Sequence, residues 1–513
     1  MAFADLAKLV ARNAPKGTSA RYARLDALER LLNGTLYDFL PFSFDQEDEG
    51  TRHILLRERR PSLVYQLARL IVDQTSSLTF GEAHFPSIRS WESEDASDRS
   101  GGFEREIERI VEACDLESAM MSAIYRGSIG SSAVIVRGIG PKRIPHIEVV
   151  SGKVARPIFN PKDPTSLGGM VQVYTVSGEV LQAEGYEKAL ADKTYWLRVE
   201  FDAKEERRFL PLTEQEFAEM QSADPDDKKA PRWKLGEAVD HGFGCTPVVW
   251  MVNPPAIDRV DGAATFEPIA NFCVEIDYSL SQTGRGLRYS ADPTLVVSRG
   301  DMMSLMGGES EGPIVKSVAR ALELGEGGSA KLLEITGQGL DSAREYVKML
   351  REWALEVVGG MKADAENSRG PQSGRALEVL SQPLIWLVER MRIAYGTRGL
   401  LPVLRIILRG IKSGSLVIAG VDAPDPDASM RLVWPSWWTP RGSDLAQQAN
   451  ALQTFAGGSV KNPVALLSRD TVARLAATTV GLDDPNRAVR ELVDSDETKP
   501  IDSAPRPVDT GKD

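Results

Sequence analysis

The stretch from Gly339 to Gly410 constrains this chain most, because it reads as helix, polar loop, helix. In its first part Tyr346, Leu350, Trp353 and Val357 recur at helical spacing and share one face. Asp341 is an N-cap candidate with Glu345 in the first turn, and Gly359-Gly360 ends the segment. Met361 to Gly374 is polar and rich in turn residues. From about Arg375, Leu377, Leu380, Leu384, Leu387, Met391 and Ala394 form a second stripe. Pro383 is expected to kink that helix, since proline lacks the N–H and crowds the preceding turn. Leu400 to Leu408 is expected as a third segment after Gly396 and Gly399.

The rest of the chain reads as follows. Residues 19–40 and Pro61–Gly81 are expected helices, the latter with Leu63, Leu67, Leu70 and Ile71 on one face. Acidic, Ser-rich 82–102 is an expected loop. Helix is expected over 103–125, and strand at Ala133-Val-Ile-Val136. From Ile144 to Met251 the pattern is mostly β, with alternation at Val171–Val176 and Trp196–Phe201. Thr265–Leu287 is a long helix. Ile269, Phe272, Ile276, Leu280, Thr283 and Leu287 lie on one face, and Asn271, Glu275, Tyr278, Gln282 and Arg285 on another. An α/β insert, Asp292–Gly337, follows. Ser415–Ile418 and Met430–Trp434 are expected strands; 444–455, 468–479 and 487–493 are expected helices. Asp494 to Asp513 is Pro- and Asp-rich, the composition of a disordered tail.

At 513 residues the chain exceeds one compact unit. Its net charge of −12 argues against wrapping nucleic acid, which needs clustered Lys and Arg, but not against a channel through which DNA slides. Three scattered cysteines argue for a reducing compartment. The N-terminus has no signal-peptide pattern, and no apolar run is long enough to span a bilayer.

Catalytic signatures are sparse. Gly410-Ile-Lys-Ser413 lacks the glycine pattern of a phosphate loop, and Gly138-Ile-Gly140 is no dinucleotide fingerprint. Of the four histidines, only His241 has a nearby cysteine, Cys245, and two ligands fall short of a zinc site. Arg52 to Arg60 is the densest basic run, read as a solvated helix face before a DNA or partner contact. Trp434, Trp437 and Trp438 could stack bases, with strand-end packing the simpler reading.

Several segments together resemble the portal proteins of tailed bacteriophages. They are Ser373-Gly-Arg-Ala-Leu-Glu-Val-Leu-Ser-Gln-Pro-Leu-Ile385 after the polar loop, Ser77-Leu-Thr-Phe80-Gly81 at a helix end, Gly242-Phe-Gly-Cys-Thr-Pro-Val-Val through Asn253, and Pro435-Ser-Trp-Trp-Thr-Pro440. The likeness covers roughly residues 60 to 490, mainly as order and type of elements. Phe243 stands where that family often has Leu.

The resemblance implies an α+β fold, mainly helical. It would comprise a wing over 1–260, a first stem helix over 261–290, a clip over 291–338 and a second stem helix over 339–360. A tunnel loop over 361–374, a long kinked helix with returning wing strands over 375–438, a crown over 439–493 and a tail over 494–513 would follow. It implies a non-enzymatic homo-oligomer, a dodecamer, forming the channel for DNA packaging and ejection at one capsid vertex. It also implies assembly in the host cytoplasm, residence in the virion and no membrane. Its partners would be double-stranded DNA, terminase, a head–tail connector, and the major capsid and scaffolding proteins. No cofactor, catalytic residue or metal site is implied. Lys362 and Arg369 become the candidate DNA contacts, and Leu350, Trp353, Ile276 and Leu280 the candidate stem packing or interface residues. Another virion ring or capsid protein is the first alternative, and an enzyme the second.

Overall fold

The computed structural model describes residues 2–90, 100–163, 166–187, 189–224, 229–291, 294–298, 329–333, 337–359, 374–435 and 437. The chain divides into two units, Met1–Pro435 and Ser436–Asp513. The expected helices after 440 and the tail lie outside the described residues.

The fold is α+β with several antiparallel sheets. In chain order its elements are α1 (Phe3–Asn13), α2 (Ala20–Asn33), β1 (Asp48–Glu49), β2 (Arg52–His53), α3 (Leu67–Phe80), β3 (Ser87–Ser90), α4 (Ser100–Ala113) and α5 (Leu116–Gly127). Then come β4 (Ser131–Ile139), β5 (Ile144–Ser151), β6 (Ala155–Phe159), β7 (Leu167–Ser177), α6 (Gly178–Ala183), β8 (Thr194–Phe201), β9 (Glu205–Phe209) and β10 (Leu212–Thr213). These lead to α7 (Glu214–Ser222), β11 (Leu235–Asp240), β12 (Val248–Val252), α8 (Ala270–Ala291), β13 (Thr294–Ser298), β14 (Ser329–Leu333) and α9 (Gly337–Val358). Last are α10 (Gly374–Met391), a π-helical stretch (Arg392–Leu400), α11 (Leu401–Lys412) and β15 (Met430–Val433).

The core sits on a three-stranded sheet, β12-β4-β5. Ala133, Val134, Ile135 and Val136 are all fully buried because both faces are covered, which is why they read as an unbroken apolar run. Ala133 and Ile135 pack with Met170, Val199 and Phe201 of the larger sheet, whose main path is β11-β9-β8-β7-β6. By strand alternation Val134 and Val136 face the other way, toward α5 and α11. The π-helical stretch closes that layer: the Tyr395 hydroxyl, fully buried, donates to Asn253 Oδ1 at 3.1 Å. A Cβ on Gly396 would lie 2.6 Å from Trp434 Cζ2, so only glycine permits this approach.

Several expectations are corrected. The helix expected over Pro61–Gly81 begins only at Leu67. Residues 61–66 run as an irregular strap, and Gln66 sits in the left-handed region at φ 52°. Leu63 and Leu70 therefore do not share a buried face; they are exposed. The single helix expected over 103–125 is two, α4 and α5, separated where Asp115 takes φ 47°. The helix over 19–40 stops at Asn33, with Ser19 as N-cap and left-handed Gly34 as C-cap. The largely β region also holds α6 and α7, and Ser415–Ile418 forms no strand. Gly396 and Gly399 do not interrupt the long helix; they widen it to π geometry.

Candidate functional site

α8 and α9 pack against each other and bracket the β13–β14 pair in sequence. The N-terminal segment wraps one side of α8, while Asn271 and Gln282 of its polar stripe stay exposed. Asp277 Oδ1 accepts from the Tyr65 backbone N–H at 2.7 Å, and Oδ2 from the Tyr37 hydroxyl at 2.7 Å. One turn on, Ser281 Oγ accepts from the Leu63 N–H at 3.1 Å. The Tyr278 hydroxyl donates to the Arg59 carbonyl at 2.9 Å. Arg288 forms a two-bond pair with Asp45 at 3.0 Å, and Arg285 pairs with Glu47. Asn271 Oδ1 accepts from the Phe3 N–H at 2.8 Å. These bonds favour the irregular course of residues 61–66, because α8 side chains accept the Leu63 and Tyr65 N–H groups.

Burial pushes the Asp277 carboxyl up to about 6, although the Tyr65 N–H and Tyr37 hydroxyl both favour its charged form. Burial also raises the Tyr37 and Tyr278 hydroxyls, with the Asp277 charge adding to it. Burial pushes the Cys273 and Cys114 thiols up to about 12, so these cysteines pack as small apolar groups.

Of the candidate stem residues, Ile276 is buried, Leu280 is half-buried and Leu350 is buried with Ala354, Leu355 and Val358. Trp353 is not covered by its own chain: it is 48% exposed, and Tyr346 and Val357 are 40% and 55% exposed. The stripe read from the sequence is thus split. Its Leu350 edge packs inside the chain, and the Tyr346–Trp353–Val357 row stands beside it, open. Trp386 and Ile393 form a further exposed apolar pair at i and i+7. Lys362 and Arg369 lie outside the described residues.

The other candidates resolve into structural roles. Within the basic run, Arg52 bonds both Glu58 carboxylate oxygens, and buried Arg59 donates to the Ile54 carbonyl. Arg57 and Arg60 remain exposed. The Phe243 N–H donates to His241 Nδ1 at 3.3 Å, which leaves Nε2–H to donate to the Asp202 carbonyl at 3.0 Å. That engages both ring nitrogens with the fold. Among the described residues no three His, Cys, Asp or Glu side chains form a metal-binding group. No described helix is long and apolar enough to cross a membrane. Trp434 packs on Phe80, ring centroids 5.6 Å apart, and lies 4.6 Å beneath the Arg392 guanidinium, as a strand-end packing residue would.

A polar cleft of about 570 Å³ lies between the β4–β5 turn and β9–β11. Arg137 and Arg208 in it are both held by Glu206, so its charge is balanced internally. Contrary to the expectation that the chain has no Gly-Xaa-Ser-Xaa-Gly elbow, Gly308-Glu-Ser310-Glu-Gly312 has that spacing. It lies outside the described residues.

No protein-family model matches the chain, and no curated protein does. Solved structures do. A chain from the neck of an empty gene transfer agent particle, computed with C6 symmetry, is 12% identical with a TM-score of 0.38; the match covers 80% of this chain and 89% of that one. A chain from the virion of a native gene transfer agent particle is 11% identical with a TM-score of 0.37, over the same shares.

Proposed function

We propose that this chain is a portal subunit: one member of a ring-shaped channel at a capsid vertex, through which DNA is packaged and ejected. The observation that carries the reading is the α8–α9 pair. Two long helices pack together, β13 and β14 lie between them in sequence, and α9 keeps an apolar row that its own chain leaves open. A thin two-helix layer cannot cover both of its faces, and neighbouring copies in a ring can. The order helix, antiparallel strand pair, helix, long helix matches stem, clip, stem and long helix, with the expected tunnel loop between the last two. The portal-like segments quoted above support the same order. On this reading a dodecamer docks terminase and then a head–tail connector, and residues 361–374 carry Lys362 and Arg369 toward the DNA.

Two substitutions on α9, three residues apart in sequence, test it. Leu350→Ala removes a buried side chain, so it should cost about 2–5 kcal/mol of stability whatever the oligomer. Trp353→Asp alters a side chain that is 48% exposed, so the chain should stay folded at a cost of about 1–3 kcal/mol, from the half its own chain covers, while the ring is lost. Mass photometry and negative-stain microscopy read the outcome. A wild-type chain that stays monomeric overturns the reading, and a ring without a wide wing or twelvefold symmetry assigns the chain to another virion ring.

A further inference from the structure

The open row on α9 has a counterpart on the opposite flank of the same layer. Arg351 lies 6.0 Å from the Tyr65 ring, so that side of α9 faces the strap. Successive helical residues turn by about 100°, which puts Trp353 about 160° around the helix from Arg351, facing away. The strap and the turn leading into it, together residues 55–65, form a segment that is itself apolar and open: Leu55, Leu56, Leu63, Val64 and Tyr65 are all between 36% and 50% exposed.

The charges flanking the two patches are opposite. Glu345, Glu352 and Glu356 follow one another at helical spacing beside Tyr346, Trp353 and Val357. Arg57 and Arg60 stand exposed in the strap segment. Among the described residues, none of these five charged side chains has an ion-pair partner within the chain.

We propose that the acid-edged apolar row of α9 in one copy docks on the basic strap segment, residues 55–65, of a second copy. This rests on the ring reading and deepens it. Two different patches on opposite flanks make a head-to-tail contact, the type that closes into a ring rather than stopping at a dimer. The apolar rows supply the buried area, and the Glu–Arg pairing sets which flank meets which.

Charge reversal separates this contact from the ring itself. Glu352→Arg with Glu356→Arg should give a folded chain that no longer forms rings, and so should Arg57→Glu with Arg60→Glu. All four reversals on one chain should restore the ring, because every contact again pairs opposite charges. A 1:1 mixture of the two half-reversed chains should also restore it, as rings of alternating copies. Mass photometry reads assembly, and circular dichroism melts verify folding. If wild type forms rings and both half-reversed chains do too, the docking inference fails while the ring reading stands. Loss in both half-reversed chains with no recovery in the fourfold chain also overturns it. A wild-type chain that never assembles overturns both.

Discussion

Asp277 shows how much one buried side chain can carry. It is 2% exposed, yet it binds the strap through Tyr65 and the segment after α2 through Tyr37. Its carboxyl rises from an ordinary value of about 4 to about 6, so between those pH values the folded chain holds more protons than the unfolded one. The group's contribution is therefore greatest below pH ~4 and declines as pH rises through about 6, by up to about 3 kcal/mol. Asp277→Asn keeps an acceptor for the Tyr65 N–H and cannot ionise. Its melting temperature should lose the fall between pH 4 and 6 and equal or exceed that of wild type above pH 6. Calorimetric melts across pH check this, and a wild-type profile parallel to that of the variant would remove Asp277 from the account. Periodicity could not reveal this residue, because an Asp at a helical core position reads as a surface charge.

At the scale of elements, local signals located most helices, and tertiary contacts moved their ends. Ser19 and Gly34 cap α2 as their residue types allow. Thr213 and Glu216 form a capping box at the start of α7, a Thr-Xaa-Xaa-Glu signal embedded in a stretch of strand alternation. The π-helical stretch is different, since Gly396 and Gly399 look like breakers until their neighbours are known. A Cβ on Gly399 would come 2.9 Å from Met251 Sδ, and one on Gly396 would strike the Trp434 ring. Gly396→Ala should thus lower stability by about 1–3 kcal/mol, although alanine favours helix, because the indole must shift. Chemical denaturation measures it, and a stabilised variant would show that propensity outweighs the contact.

At the scale of the whole molecule, 73 Asp and Glu outweigh 61 Lys and Arg, and on the proposed portal reading that net charge of −12 would keep DNA from sticking to the channel. If Lys362 and Arg369 touch the duplex, they contact phosphates and carry no sequence information. Lys362→Ala with Arg369→Ala should leave rings and capsids intact and change the DNA packaged or retained per particle, with the effect shrinking as salt rises. Particles indistinguishable from wild type at every salt concentration would make residues 361–374 a connector alone.

The α+β class was an expectation carried by the family resemblance; the sequence by itself determined the buried strand Ala133–Val136, the long helices around 265–287 and 340–358, and the expectation that α9 has an apolar stripe. Each follows from periodicity, which is a property of neighbours along the chain. Which part of that stripe is open was decided only by the tertiary structure, because Leu350 and Trp353 look alike in a pattern and differ in what lies opposite them. The strap was decided the same way. Pro61 through Gly81 carries every local sign of one helix, but the N–H groups of Leu63 and Tyr65 bond to Ser281 and Asp277, more than 200 residues away in sequence. A backbone donor is satisfied equally well by a helix or by a distant side chain, and only the assembled fold sets which one it meets.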